Sequence, residues 1–225
     1  LSQYVVSPPP VAAIPVRGTS ATFPLRRVYC VGRNYVEHIR EMGNDERNPP
    51  IFFQKPADAL VLDGGEVPYP SQTKDFQHEV ELVVALKSGG TDIAPENALG
   101  HVFGYAVGLD MTRRDLQSRT GKPWEIAKAF DHSFPCGEIA TAEEVGHVEK
   151  GAIELKVNGE TRQSSDVDLL IWRLPEIIAN LSTLFELKAG DVILTGTPHG
   201  VGPVERGDRL EASVAGLPGL TVTIV

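Results

Sequence analysis

The chain is poor in cysteine, in positive charge and in long apolar runs. Its 225 residues include two cysteines, Cys30 and Cys136. That excludes a disulfide framework as the source of the fold and fits reduced thiols in a cytoplasmic protein. Lys and Arg number 21 against 30 Asp and Glu, a formal net charge of −9, which argues against nucleic acid or an anionic membrane as partner. No apolar stretch approaches a bilayer span, and no signal-peptide pattern opens the chain. The Gly-Lys-Ser/Thr of a phosphate-binding loop is missing, and so is a Gly-x-Ser-x-Gly elbow. His78, His101 and the His132/Cys136 pair lack the spacing of a zinc site. There is no repeat, heptad pattern or low-complexity tract.

What the sequence does hold points to a β-rich domain. Gly 22 and Pro 17 imply many turns, and 41% hydrophobic with 23% charged residues is ordinary for a globular protein. Residues 1–24, with Pro8-Pro9-Pro10, Pro15 and Pro24, read as an extended arm, and 25–225 as one domain large enough for its own core. Short strands are expected at Arg27–Val31 and Ile51–Phe53. Asn158-Gly159 predicts a hairpin turn between Ala152–Val157 and Glu160–Ser165. The one clear amphipathic helix is Pro175–Leu187, with shorter helices at Asn34–Met42, Thr112–Arg119 and Trp124–Phe130.

His78–Leu86, HEVELVVAL, reads as a strand in which Glu79 and Glu81 share a face with Val83 and Ala85, while Val80, Leu82, Val84 and Leu86 face a core. Two adjacent carboxylates on an apolar strand repel each other and lose hydration if buried. A proton, basic partners or a hard divalent cation would compensate, and a solvated strand face is the simpler alternative. His101–Met111 alternates too. Phe103, Tyr105, Val107 and Leu109 lie on one face, and Val102, Gly104, Ala106, Gly108 and Asp110 on the other. The small residues leave either an open floor leading to Asp110 or a strand packed tightly on its neighbour.

His38 and Glu41 share a helical face, either as a solvated pair or as a general base with its orienting carboxylate. The polar loop that follows, 43–50, suggests a hinged lid spanning 34–50. Arg33, Lys55, Arg114 and Lys128, with Gln117, could counter an anionic substrate; Lys128 must otherwise reach water from its apolar setting. Gly196–Gly202 is an ordinary loop or an anion-binding nest.

In chain order, YCVGRNYVEHIREMG (29–43), FFQKPADAL (52–60), HEVELVVAL (78–86), GYAVGLDMTRRDLQ (104–117), KPWEIAKAFD (122–131), VNGETRQ (157–163) and GDVILTGTPHGVGPV (190–204) resemble the fumarylacetoacetate hydrolase family. The resemblance implies a mainly β protein with short helices (α+β), a rolled mixed β-sheet and a homodimer. It implies Mg²⁺ or Mn²⁺ (Ca²⁺ in a crystal) on Glu79, Glu81 and Asp110. It implies a water-activating dyad of His38 and Glu41 and a substrate pocket lined by Arg114, Gln117, Lys128 and Thr197; Lys128 is further assigned to catalysis, at a developing enolate, and Arg33 is added to the substrate contacts as a basic neighbour. The implied substrate is a small anionic β-keto acid or acylpyruvate, and the subfamily implied is the one that cleaves fumarylpyruvate. Oxaloacetate decarboxylation, dienoate isomerisation and a non-catalytic metal-binding scaffold are the alternatives.

Overall fold

The strand Val80–Leu86 lies inside a mixed eight-stranded sheet. The computed structural model describes residues 4–35, 48–120 and 123–225. Across that sheet the order is Ile51–Lys55, Arg27–Gly32, Asp191–Leu194, Val80–Leu86, Val102–Leu109, Phe134–Cys136 and Leu60–Leu62, with Ala140–Thr141 alongside Val102–Leu109. Asp191–Leu194 runs parallel to Arg27–Gly32, as Phe134–Cys136 does to Leu60–Leu62, and the other pairs are antiparallel. A second sheet follows the order Glu160–Asp166, Ala152–Val157, Arg209–Val214, Leu220–Ile224 and Glu66–Val67. The architecture is thus mainly β with short helices and a curled mixed sheet. Among the described residues no helix is long and apolar enough to cross a membrane.

The strand alternation read from the sequence is present, but both faces of the central sheet are buried. Val80, Leu82, Val84 and Leu86 enter a core shared with Ile153, Leu155, Leu210, Val222 and the helix Leu174–Leu184. Val83 and Ala85 enter a second core on the reverse face, closed by Ile14, Val16, Phe23 and Leu25. Within residues 1–24, Ala13–Pro15 pairs with Thr22–Pro24 to bring those side chains inward, while Tyr4, Val5, Val6 and Val11 stay exposed. Each large apolar side chain taken from water contributes roughly 1.5–3 kcal/mol, so the arm's second half is part of the packing.

The structure shifts some local readings and decides others. A bulge between Ala85 and Leu86 makes Leu86 oppose Val102 and leaves Phe103 over. Phe103 is thereby moved off the Tyr105 face and stacks on Phe23, with ring centroids 5.4 Å apart, and Val102 joins the front core. The glycines leave no open floor: a Cβ at Gly104 would meet the Ala140 carbonyl at 2.3 Å, and one at Gly108 would meet Val83 at 2.5 Å. The helix expected over Pro175–Leu187 runs Leu174–Leu184, and Thr112–Arg119 resolves into a two-residue strand followed by the helix Arg114–Thr120. The Asn158-Gly159 turn forms as expected, both residues having positive φ (53° and 82°). Most of the helix expected over Asn34–Met42 lies outside the described residues. Asn34 itself is buried, donates to the Thr195 and Trp172 carbonyls and accepts the Trp172 N–H.

Candidate active site

Glu79 sits in the break between the strands Phe76–His78 and Val80–Leu86, Glu81 two residues into the latter, and Asp110 just beyond Val102–Leu109. Antiparallel pairing brings them together. Glu81 lies opposite Gly108, and the Asp110 N–H donates to the Glu79 carbonyl at 2.9 Å. One oxygen from each carboxylate lies within 4.8 Å of the others. All three are buried, Glu79 being the most exposed at 6%. The spacing of two strands, not proximity in sequence, makes this cluster.

Cations approach two of the three. Lys128 Nζ is 2.7 Å from Glu79 Oε2, 2.6 Å from Asp110 Oδ2 and 2.7 Å from Thr112 Oγ1. Lys55 Nζ lies 2.7 Å from Asp110 Oδ1 and donates to the Met111 and Lys128 carbonyls. Arg114 donates through Nη2 to Glu79, through Nε to Gln77 at 2.9 Å and through Nη1 to Gln117 at 2.5 Å. Burial opposes the charge on Glu79, but Lys128 and Arg114 outweigh it and hold that carboxyl down at about 2. Burial likewise opposes the Lys128 charge, yet Asp110 and Glu79 more than offset it and raise its pKa.

Glu81 differs. It is 2% exposed and forms no ion pair among the described residues. It accepts one backbone hydrogen bond, from the Gly196 N–H at 2.7 Å. Burial, then Asp110 and Glu79, push its carboxyl well above the usual range. A buried carboxylate beside two others, short of a cation, suits a hard divalent ion bound through oxygen, so the donor set fits the Mg²⁺ or Mn²⁺ that the resemblance implies. Gly196 is needed at that position. Its φ is +104°, and a Cβ there would meet Asn34 at 2.7 Å.

The three carboxylates open onto a cavity of 590 Å³. Arg33, Arg114, Gln117, Lys128 and Thr197 line it with them, so the structure brings these predicted residues to one place. Val31, Phe53, Trp124 and Val201 supply apolar wall. Arg33 holds φ of 60°, a costly conformation for a residue with a Cβ and one that concentrates at functional sites. His38 and Glu41 lie outside the described residues. Sequence reasoning gave Lys55 no partner and gave Gln77 and Gln163 no role. Their signals are faint, because a Lys before Pro or a Gln in a strand becomes informative only when distant segments meet.

With this geometry, the comparisons are consistent. The model of the fumarylacetoacetate (FAA) hydrolase C-terminal family matches residues 27–225. A fumarylpyruvate hydrolase from Ralstonia sp is 45% identical over 77% of this chain and 92% of its own length. A human mitochondrial oxaloacetate tautomerase is 39% identical over 88% of this chain and 91% of its own. The crystal structure of a Pseudomonas aeruginosa fumarylpyruvate hydrolase in complex with Mn²⁺ and pyruvate superposes with a TM-score of 0.95 at 53% identity, covering 99% of each chain.

Proposed function

Since this chain is an enzyme of the fumarylacetoacetate hydrolase family, we propose that it hydrolyses a C–C bond in a 2,4-diketo acid. The favoured substrate is fumarylpyruvate, giving fumarate and pyruvate, with Mg²⁺ or Mn²⁺ held by Glu79, Glu81 and Asp110. The observation that carries the reading is Glu81, a buried carboxylate within 4.8 Å of two others and without an ion pair among the described residues. The charge balance supports it. Lys55, Lys128 and Arg114 equal the three carboxylates in number, though they pair with Glu79 and Asp110 alone, and Arg33 adds a fourth cation to the lining, so a divalent ion leaves an excess of positive charge that an anionic substrate offsets.

When bound, such an ion supplies Lewis acidity toward the keto-acid oxygens. Lys128 is charged and hydrogen-bonded within the cluster, and its ammonium is suited to stabilise the oxygen that becomes the pyruvate enolate. Arg114 and Gln117, already joined at 2.5 Å, bind a carboxylate, Thr197 donates a hydroxyl hydrogen bond, and Arg33 adds a cation to the wall. On the motif alone, His38, oriented by Glu41, takes a proton from water. The hydroxide adds to the C4 carbonyl, the C3–C4 bond breaks, its electron pair passes to the pyruvate enolate, and a proton returns to C3.

Oxaloacetate tautomerisation is the second reading, supported by the 39% identity to the human tautomerase. It moves a proton between C3 and the enol oxygen and consumes no water. The test is ultraviolet spectroscopy of fumarylpyruvate loss with Mg²⁺ or Mn²⁺, with acetylpyruvate and oxaloacetate in parallel. His38→Ala should lose roughly 10²–10⁴-fold in hydrolysis, the usual worth of a positioned acid–base group, while still binding Mn²⁺. Turnover of oxaloacetate alone, unaffected by His38→Ala, would favour the tautomerase. The reading includes a cytoplasmic homodimer. A monomer mass by light scattering would remove the dimer from it.

A further inference from the structure

One conspicuous motif, VNGETRQ at 157–163, has no part in the chemistry above, yet its last residue reaches the site. The strand Glu160–Asp166 is an edge strand, and most of its residues are exposed or half-buried. Gln163 alone in it is fully buried. A bulge explains this. Lys156 pairs with Thr161 but Leu155 pairs with Gln163, so Arg162 is left over. The extra residue turns Gln163 to the face on which Leu155 and Val157 are buried. The loop after Thr195 then lies directly on the bulge. A Cβ at Gly200, where φ is +88°, would meet the Arg162 carbonyl at 2.2 Å.

The partners of the Gln163 amide settle which end is which. Its Oε1 is 3.0 Å from the Val80 nitrogen, and a backbone N–H can only donate. Its Nε2 is 3.0 Å from the Pro198 carbonyl, which can only accept. Oxygen therefore faces the carboxylate strand and nitrogen faces the loop. Two consequences follow from that polarity. His78 Nδ1, 3.0 Å from Oε1, must carry the ring proton. And Gln163 Nε2, 2.8 Å from Thr197 Oγ1, donates to that hydroxyl. Thr197 cannot donate back to a nitrogen that has no lone pair to offer. Its own O–H has no acceptor among the described residues, while Thr197 lines the cavity that holds the carboxylates.

We propose that Gln163 is a positioning residue that fixes Thr197 as a hydrogen-bond donor to an anionic oxygen of the bound keto acid. One buried amide clamps the loop to Val80, between Glu79 and Glu81, and sets the sense of the hydroxyl at the same time. The inference rests on the keto-acid reading above.

The test is calorimetric binding of pyruvate to the Mn²⁺-bound protein, with Mn²⁺ affinity measured separately. Gln163→Met removes the amide at similar volume and adds no charge beside Glu79 and Glu81, so nothing then fixes the sense of the Thr197 O–H. It should weaken pyruvate about tenfold, the equivalent of about 1.4 kcal/mol, and leave Mn²⁺ affinity within about twofold. Thr197→Val should lose a similar factor, which the hydroxyl of Thr197→Ser should restore. In the Thr197→Val background, Gln163→Met should cost nothing further. If Gln163→Met fails to fold, Gln163→Asn, which keeps an amide but shortens its reach, takes its place, and its loss should vanish in the same background. Parent-like pyruvate binding by the Gln163 variants, or an undiminished loss in the Thr197→Val background, overturns the proposal. Absence of Mn²⁺-dependent pyruvate binding by the parent would instead overturn the functional reading.

Discussion

At the scale of single residues, the site is a group of buried charges whose stability depends on pairing. Lys128 is 3% exposed and bridges Glu79 and Asp110. Removing one member of a buried ion pair leaves its partner charged and desolvated, typically a loss of about 3–5 kcal/mol. Lys128→Met should therefore unfold at distinctly lower urea than the parent in metal-free solution. Mn²⁺ should recover part of the difference, since it offers a cation to the same carboxylates. A Lys128→Met protein as stable as the parent without metal would show that Glu79 and Asp110 are not held by that ammonium. Lys55 is the less legible member of the set. In sequence it ends a strand before Pro56, and nothing there says that its ammonium lies 2.7 Å from Asp110. Glu79 and Glu81 were legible because the period of a strand puts both on one face.

At the scale of elements, alternation located the strands and missed the irregularities that aim side chains. Val80, Leu82, Val84 and Leu86 follow the expected period into one core, but the bulge at Ala85/Leu86 reassigns Phe103 and Val102. The bulge opposite Leu155 likewise turns Gln163 rather than Arg162 inward. A bulge adds one residue on one side of a pair, and sequence shows each strand without its partner. The glycines of Val102–Leu109 illustrate the same limit. Their small size was compatible with an open floor or with close packing, and the position of Ala140 decides for packing. Gly104→Ala drives a Cβ to 2.3 Å from a backbone carbonyl that cannot rotate away, whereas Gly108→Ala meets the Val83 side chain at 2.5 Å. Overpacking costs roughly 1–3 kcal/mol, and Gly104→Ala should sit at or above the upper end, with Gly108→Ala below it. Urea unfolding of the two variants orders them, and the reverse order would mean that the Ala140 strand yields more easily than Val83.

At the scale of the whole molecule, a chain of net charge −9 keeps Lys55 and Lys128 inside, and the pH dependence of stability records that arrangement. Glu79 and Glu81 act with opposite sign. The Glu79 carboxyl is held at about 2 against an ordinary 4.5. Its contribution is full above about pH 4.5 and disappears as pH falls toward 2. The Glu81 carboxyl is raised, so the metal-free fold is penalised above pH 4.5, where the unfolded chain ionises freely and the folded one holds a proton. Binding of a divalent ion removes that proton, and its affinity must fall as pH falls. The rise in melting temperature on adding Mn²⁺ should therefore grow between about pH 5 and pH 8. Glu81→Gln cancels the proton exchange at this position. That variant should be at least as stable as the parent without metal at pH 8, and its smaller response to Mn²⁺ should vary less with pH. Calorimetric melts of both proteins across that range, with and without Mn²⁺, decide the matter. A Mn²⁺ response in the parent that is flat with pH would mean that Glu81 is already ionised in the metal-free fold.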